Sequence, residues 1–231
     1  MVPTMGVLVR EVNRYVASHR SHPSRFRIAT MSNLLVLNSS ALGSASVSKQ
    51  LVQDTVTRLT ALNPALKVVE RDIGTAPVPH LTLDSATAIR GGEPANSAQA
   101  EARKLSDALV EELKAADIIV VGAPMYNFGI SSTLKAWFDY VLRAGVTFRY
   151  TESGPEGLMT GKRAIVVESR GGLYSSGPAQ IMDSQEPHLR TLFGFMGITD
   201  VTFIRVEKLA FGPEAREQAI NAAQAELKLV A

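Results

Sequence analysis

Five short apolar runs, each about a strand long and each followed by an amphipathic stretch, constrain this chain more than any other feature. The runs are Leu34–Asn38, Leu66–Glu70, Asp117–Gly122, Arg163–Ser169 and Asp200–Glu207. The stretches that follow read as helices over Val47–Leu62, Ala98–Ala115, Ser132–Arg143, about Ile181–Phe195 and Pro213–Leu229. Strands separated by helix-length segments cannot pair as hairpins. They form an α/β sandwich, with a parallel sheet between two layers of helices. Two segments fall outside the alternation. Asp72 to about Ala95 reads as a long polar loop, with Pro77, Pro79, Gly91, Gly92 and Pro94. Val146–Gly157 reads as an excursion from the core, punctuated by Gly154-Pro155 and Gly157.

Composition narrows the chemistry. At 231 residues, 45% hydrophobic and 20% charged, the chain has the balance of a soluble globular protein with a sizeable core. The net charge of +2 is too mild to indicate nucleic acid. Five arginines (Arg10, Arg14, Arg20, Arg25 and Arg27) fall in residues 1–30 against one acid, Glu11, so the basic character belongs to that segment. Residues 1–30 are expected to be an N-terminal extension, a disordered tail or the product of a mis-assigned upstream start, with Met31 opening the domain that runs from 31 to 231. A targeting peptide is the alternative, because Arg and Ser are rich and acids scarce. No apolar run approaches the roughly 20 residues that span a bilayer. The absence of cysteine excludes disulfides, thiolate metal sites and thiol nucleophiles. His80 and His188 have no carboxylates at ligand spacing, so no metal site is expected.

In the strand order 2-1-3-4-5, strands 1 and 3 are neighbours and the topology reverses between them. The ligand crevice of such a sheet opens at their carboxyl ends. Three unusual loops would meet there. The first, Ser39 to Ser48, offers hydroxyls and helix-start amides suited to a phosphate; serines before a helix also serve simply as caps. It lacks the glycines of a P-loop and of a dinucleotide fingerprint. The second, Met125, Tyr126, Asn127 and Phe128, combines a thioether, two aromatics and an amide. Such a set can cover a flat ring and bond its polar edge, or can cap the core. The third, Ser169, Arg170, Gly171 and Gly172, lets backbone amides approach a ring closely. No nucleophile–histidine–acid set and no pair of catalytic carboxylates stands out, so a cofactor is expected to carry any reaction.

The wording of these segments resembles the FMN-dependent NADH-azoreductase and quinone-reductase family, which is flavodoxin-like. The resemblance runs from Met31 to the C-terminus. It is densest in APMYNF and in AGVTFRYTESGPEGLMTGKRAIVV, and continues through SRGG, FGFMGITDV and Phe211-Gly212-Pro213. It implies a flavodoxin-like three-layer sandwich and a cytoplasmic homodimer with one FMN per subunit, its sites built at the dimer interface. It places phosphate contacts at Ser40, Ser46, Val47 and Ser48, and ring and ribityl contacts at Met125–Phe128 and Ser169–Gly172. Arg90, Tyr150 and Phe195 fall at substrate-pocket positions. No side chain is expected to be catalytic, since flavin N5 carries the chemistry. The resemblance further implies ping-pong hydride transfer from NADH, reducing quinones to hydroquinones and azo bonds to amines. The rival readings are a flavodoxin-like electron carrier and a flavin-based redox sensor. Tyr174 stands where some relatives carry histidine, and the serine loop is short.

Overall fold

The computed structural model describes residues 32–230; the extension expected at residues 1–30 lies outside them. Five strands form one parallel sheet: β1 (Asn33–Asn38), β2 (Lys67–Asp72), β3 (Ile118–Gly122), β6 (Arg163–Ser169) and β7 (Asp200–Val206). Their order is β2-β1-β3-β6-β7, which is the expected 2-1-3-4-5 once an inserted hairpin is set aside. That hairpin, β4 (Phe148–Thr151) paired with β5 (Gly154–Gly157), is what the sequence shows as an excursion. Asn38 pairs with Gly122 and Gly122 with Val167, so the carboxyl ends of the three central strands finish side by side.

Burial follows strand position. β1, β3 and β6 are apolar nearly throughout because both faces are covered. β2, at the edge, carries Lys67, Glu70, Arg71 and Asp72 and is largely exposed, which discourages pairing with another sheet. Leu35, Leu37, Ile119, Val121, Ala164 and Val166 pack on one side into a core with Trp137, Phe138 and Phe193. On the other side the helices α1 (Val47–Leu62) and α6 (Pro213–Val230) cover the sheet, tied together by Gln224 Nε2 donating to Asp54 at 2.9 Å.

The remaining helices are α2 (Leu83–Arg90), α3 (Ser97–Ala115), α4 (Ser132–Val141) and α5 (Glu186–Phe195). Two of them correct the sequence reading. α2 lies inside the expected loop. Thr82 and Ser85 form a reciprocal cap, Ser85 N to Thr82 Oγ1 at 3.2 Å and Thr82 N to Ser85 Oγ at 2.8 Å, and residues 83–90 contain neither Pro nor Gly. α5 starts at Glu186 rather than near Ile181. Asp183 Oδ1 accepts from the amides of Gln185 and Glu186, and Pro187 fits only a first turn. A short 3-10 turn, Pro178–Met182, precedes it. Among the described residues no helix is long and apolar enough to cross a membrane, and no three His, Cys, Asp or Glu side chains gather as metal ligands.

Candidate functional site

The serine loop is stitched to the end of β3. Ser39 Oγ donates to Gly122 O at 2.7 Å, and Ser39 N donates to the same oxygen at 3.2 Å. After a 3-10 turn at Gly43–Ala45, Ser46 caps α1 by accepting from Lys49 N at 3.2 Å, and its hydroxyl lies 3.1 Å from that of Ser48. A helix start leaves its first amides without partners in the helix. Here the cap uses that of Lys49, which leaves Val47 and Ser48 as donors for an anion, and the helix dipole favours negative charge there. Ser40 is buried, its hydroxyl accepting from Leu42 N.

The second loop is a two-residue hairpin turn. Tyr126 N donates to Gly129 O at 2.9 Å and Gly129 N to Tyr126 O at 3.0 Å. The two residues between, Asn127 and Phe128, have φ of 47° and 71°, as this turn type requires. A side chain in the left-handed region costs about 1–2 kcal/mol, which Asn tolerates and Phe does not. Such strain persists where neighbours hold it. Ser184 N donates to Phe128 O at 3.0 Å, and the Phe128 ring meets Tyr174 edge-on at 6.0 Å. Tyr126 Oη accepts from Ala41 N at 3.1 Å, so this tyrosine ties the turn to the serine loop. Exchanging Asn127 for glycine removes the amide group and keeps the backbone comfortable, which alanine would not. The expected result for Asn127→Gly is a urea midpoint no lower than the parent's and flavin affinity several-fold weaker by fluorescence titration. Unaltered affinity would exclude a binding role for Asn127.

The third loop departs from expectation at Arg170. Its amide is spent on Val206 O at 2.8 Å, and its side chain turns inward to complete burial. The guanidinium meets Glu168 at 2.6 Å, Asp183 at 3.0 Å and Glu207 at 3.3 Å, and donates to Gln185 Oε1 at 3.0 Å. Fully buried among these partners, the Arg170 side chain faces away from the cleft. It is instead the hub under the site. Glu207 accepts from the amides of Tyr174 and Ser175, and Gln185 Nε2 donates to Ala123 O at 2.7 Å. The carbonyls of Arg170, Gly171 and Gly172 accept from Leu209, Ala210 and Lys208. The amides of Gly171 and Gly172 meet no acceptor among the described residues.

The cluster around Arg170 is short of positive charge. Glu168, Asp183, Glu186 and Glu207 face only Arg170, Arg190 and Arg205. Burial pushes Glu168 up to about 8, with Arg170 opposing and Glu186 and Asp183 adding. Its Oε1 has no partner and its other oxygen accepts from Arg170 alone, so little supports the charged form. Desolvation also works against Glu186, but hydrogen bonds from Arg205 and Arg190 outweigh it and hold this acid at about 2. The two shifts act in opposite directions. A raised folded value stabilises fully below the unfolded value, near 4.5, and its contribution is lost as pH rises towards 8; the lowered value of Glu186 stabilises above 4.5 and is lost as pH falls towards 2. Glu168→Gln is expected to abolish the decline in stability between pH 4.5 and 8 and leave the acid limb intact, as read from urea midpoints against pH. An unchanged alkaline slope would show that Glu168 is ionised throughout.

The loops converge as the topology dictates. A cleft of about 240 Å³ is lined by Ser40, Ser46, Val47, Met125, Tyr126, Ser169, Arg170 and Gly171, together with Leu209, Ala210 and Arg216. A larger cavity of about 630 Å³ shares Tyr126 and takes in Asn127, Ser131, Thr133, Lys135 and His188. Burial and, after it, Lys135 hold His188 below the usual imidazole range. The smaller cleft is the better candidate, because it lies where three loops meet at the reversal of strand order. A sequence profile of the flavodoxin-like fold matches residues 32–230. The chain belongs to that family.

Relatives within the flavodoxin-like family agree on a narrower description. The FMN-dependent NADH:quinone oxidoreductase of Hyphomonas neptunium is 55% identical over 201 residues, spanning 87% of this chain and 96% of its own. The protein of that name from Escherichia coli O6:H1 is 49% identical over 196 residues, 84% of this chain and 96% of its own. Among solved structures, the azoreductase of Bacillus anthracis strain Sterne superposes with a TM-score of 0.80 at 28% identity, covering 87% of this chain and 98% of its own.

Four expected cofactor residues lie outside the cleft lining. Ser48 is buried beneath it, Asn127 faces the larger cavity, Phe128 stands against Tyr174, and Gly172 lies under the same tyrosine, which a Cβ there would meet at 3.0 Å. The three expected substrate residues lie elsewhere again. Arg90 is exposed at the end of α2, and Tyr150 and Phe195 flank Phe148 at 5.5 and 4.6 Å on and beside the hairpin. Sequence reasoning passes over Gly74, Gln185, Glu207, Leu209, Ala210 and Arg216. Only the Phe211-Gly212-Pro213 motif points near the last three.

Proposed function

We infer that this chain is an FMN-dependent NADH:quinone oxidoreductase that also reduces azo compounds to amines. The observation that carries the reading is the cleft joining the serine loop, the Tyr126 turn and Ser169–Gly171, in a chain 55% identical to a protein named for that activity. The donor set fits FMN. Hydroxyls of Ser40 and Ser46 and the first amides of α1 suit its phosphate, and the two unpartnered glycine amides suit the polar edge of its ring. When bound, FMN supplies hydride transfer at N5 between NADH and the quinone or azo acceptor.

The chain's own residues bind, orient and tune. The amides of Gly171 and Gly172 present fixed positive dipole ends and favour added negative charge at the ring edge, which raises the tendency to accept electrons. Asn127 offers an amide that both donates and accepts. Among the described residues no carboxylate or imidazole lines the smaller cleft, and the reading takes protons for the acceptor from solvent. NADH and the acceptor occupy one face in turn, a ping-pong order that needs no second dinucleotide motif. The test is the visible spectrum of the FMN-reconstituted protein under anaerobic NADH and then benzoquinone. Bleaching followed by recovery is expected. Flavin that NADH does not bleach would transfer the reading to an electron carrier or sensor.

A cytoplasmic homodimer is part of the same proposal. Tyr150 is 73% exposed on the hairpin and, with Phe195, stands away from the cleft of its own chain; in a dimer such aromatics can complete the partner's site. Sedimentation at the mass of a single chain would overturn the dimer, and recovery of the protein with membranes on cell fractionation would overturn the location.

A further inference from the structure

The phosphate end of the cleft is built almost wholly from neutral donors. Ser40 and Ser46 contribute hydroxyls and Val47 an amide. Lys49, in the first turn of α1, is held 2.5 Å from Asp72. Arg170, the other cation in the lining, is consumed by its buried carboxylates. Arg216 is different. It stands in the first turns of α6, lines the same cleft as Ser40, Ser46 and Val47, and makes no side-chain hydrogen bond or ion pair with the described residues. α1 and α6 pack side by side on one face of the sheet, which brings their N-terminal ends to the same rim.

We propose that Arg216 is the counter-ion for a phosphate monoester seated on the serine loop, the phosphate of FMN, and so sets how tightly the flavin is retained. The inference rests on the flavin reading above. A dianion on hydroxyls and dipoles alone leaves its charge unneutralised, and a guanidinium at the rim can meet two of its oxygens at once. The partly open cleft weakens this by screening, so the contribution depends on salt.

The test titrates the full chain, freed of flavin, with FMN and with riboflavin, which lacks the phosphate. Arg216→Gln is expected to weaken FMN binding about tenfold, to flatten its salt dependence, and to leave riboflavin binding unchanged; Arg216→Lys should restore a large part. A structural role for Arg216 would weaken both ligands alike, and that outcome, or an FMN affinity equal to the parent's, overturns the inference while the flavin reading stands. If the parent binds neither ligand, both fall. A second source of phosphate is separable in the same variants. An Arg216→Gln protein that keeps FMN but loses turnover with NADPH while retaining it with NADH would place the charge on the dinucleotide, against the proposal.

Discussion

Replacing Arg170 by methionine is expected to destabilise the protein by about 3–5 kcal/mol, the range found when one member of a buried ion pair is removed. The size follows from what is left behind. Asp183 and Glu207 lose a charge partner, Glu168 loses the donor to its one bonded oxygen, and Gln185 loses its carbonyl's donor. Glu168 and Gln185 are fully buried and cannot recover water without opening the base of the cleft, whereas Asp183 and Glu207 are part-exposed. Neighbouring arginines do not substitute, because Arg190 and Arg205 are committed to Glu186. Arg170→Lys keeps the charge and loses the fork, so it is expected to regain less than half of the loss. Urea unfolding at neutral pH is the measurement, and a loss below about 1 kcal/mol would mean that the cluster is not the support described above. Flavin affinity should fall with it, since Arg170 anchors both the Gly171-Gly172 segment and, through Asp183 and the adjacent Ser184, the strained Phe128 turn.

The second large effect is expected at Gly74, which no motif marks. A Cβ there would sit 2.0 Å from Ser40 O and 2.7 Å from the Ser40 carbonyl carbon. Both are backbone atoms and cannot swing aside. Gly74 is itself pinned, its amide donating to Asn38 O at 3.0 Å. Gly74→Ala therefore has to move the serine loop, at about 1–3 kcal/mol of stability, and FMN affinity should fall tenfold or more. Gly194→Ala provides the contrast. That glycine lies within α5 with open space where a methyl would go, so the change is expected to be neutral or stabilising by up to about 1 kcal/mol. Parent-like FMN binding by Gly74→Ala would show that the loop adapts and that its position is not fixed from below.

Much of the architecture is carried by local pattern. α1 runs Val47–Leu62 and β6 runs Arg163–Ser169 as periodicity and caps predict, and the strand order follows from alternation with a known preference for doubly wound sheets. α2 escaped because its flanking prolines and glycines read as a loop, although Thr82 and Ser85 hold a capping pair between them. Arg170 shows a different limit. Its place in a glycine-rich loop at the end of a strand is visible in the sequence, but the direction of its side chain is not. That direction depends on carboxylates at Asp183 and Glu207, which reach it through α5 and β7. The same holds for Arg216, more than 160 residues from the serines with which it shares a cleft.

The sequence by itself determined the layers, the sheet order and the three loops that end on one edge, because hydrophobic period, helix caps and chain connectivity are local properties. Only the tertiary structure decided that Arg170 supports the cleft rather than entering it, that Gly74 sets the height of the serine loop, and that Arg216 stands free at the rim. Those outcomes depend on contacts between segments distant in the chain, where burial, charge balance and the space for a single methyl group are set by the packed fold.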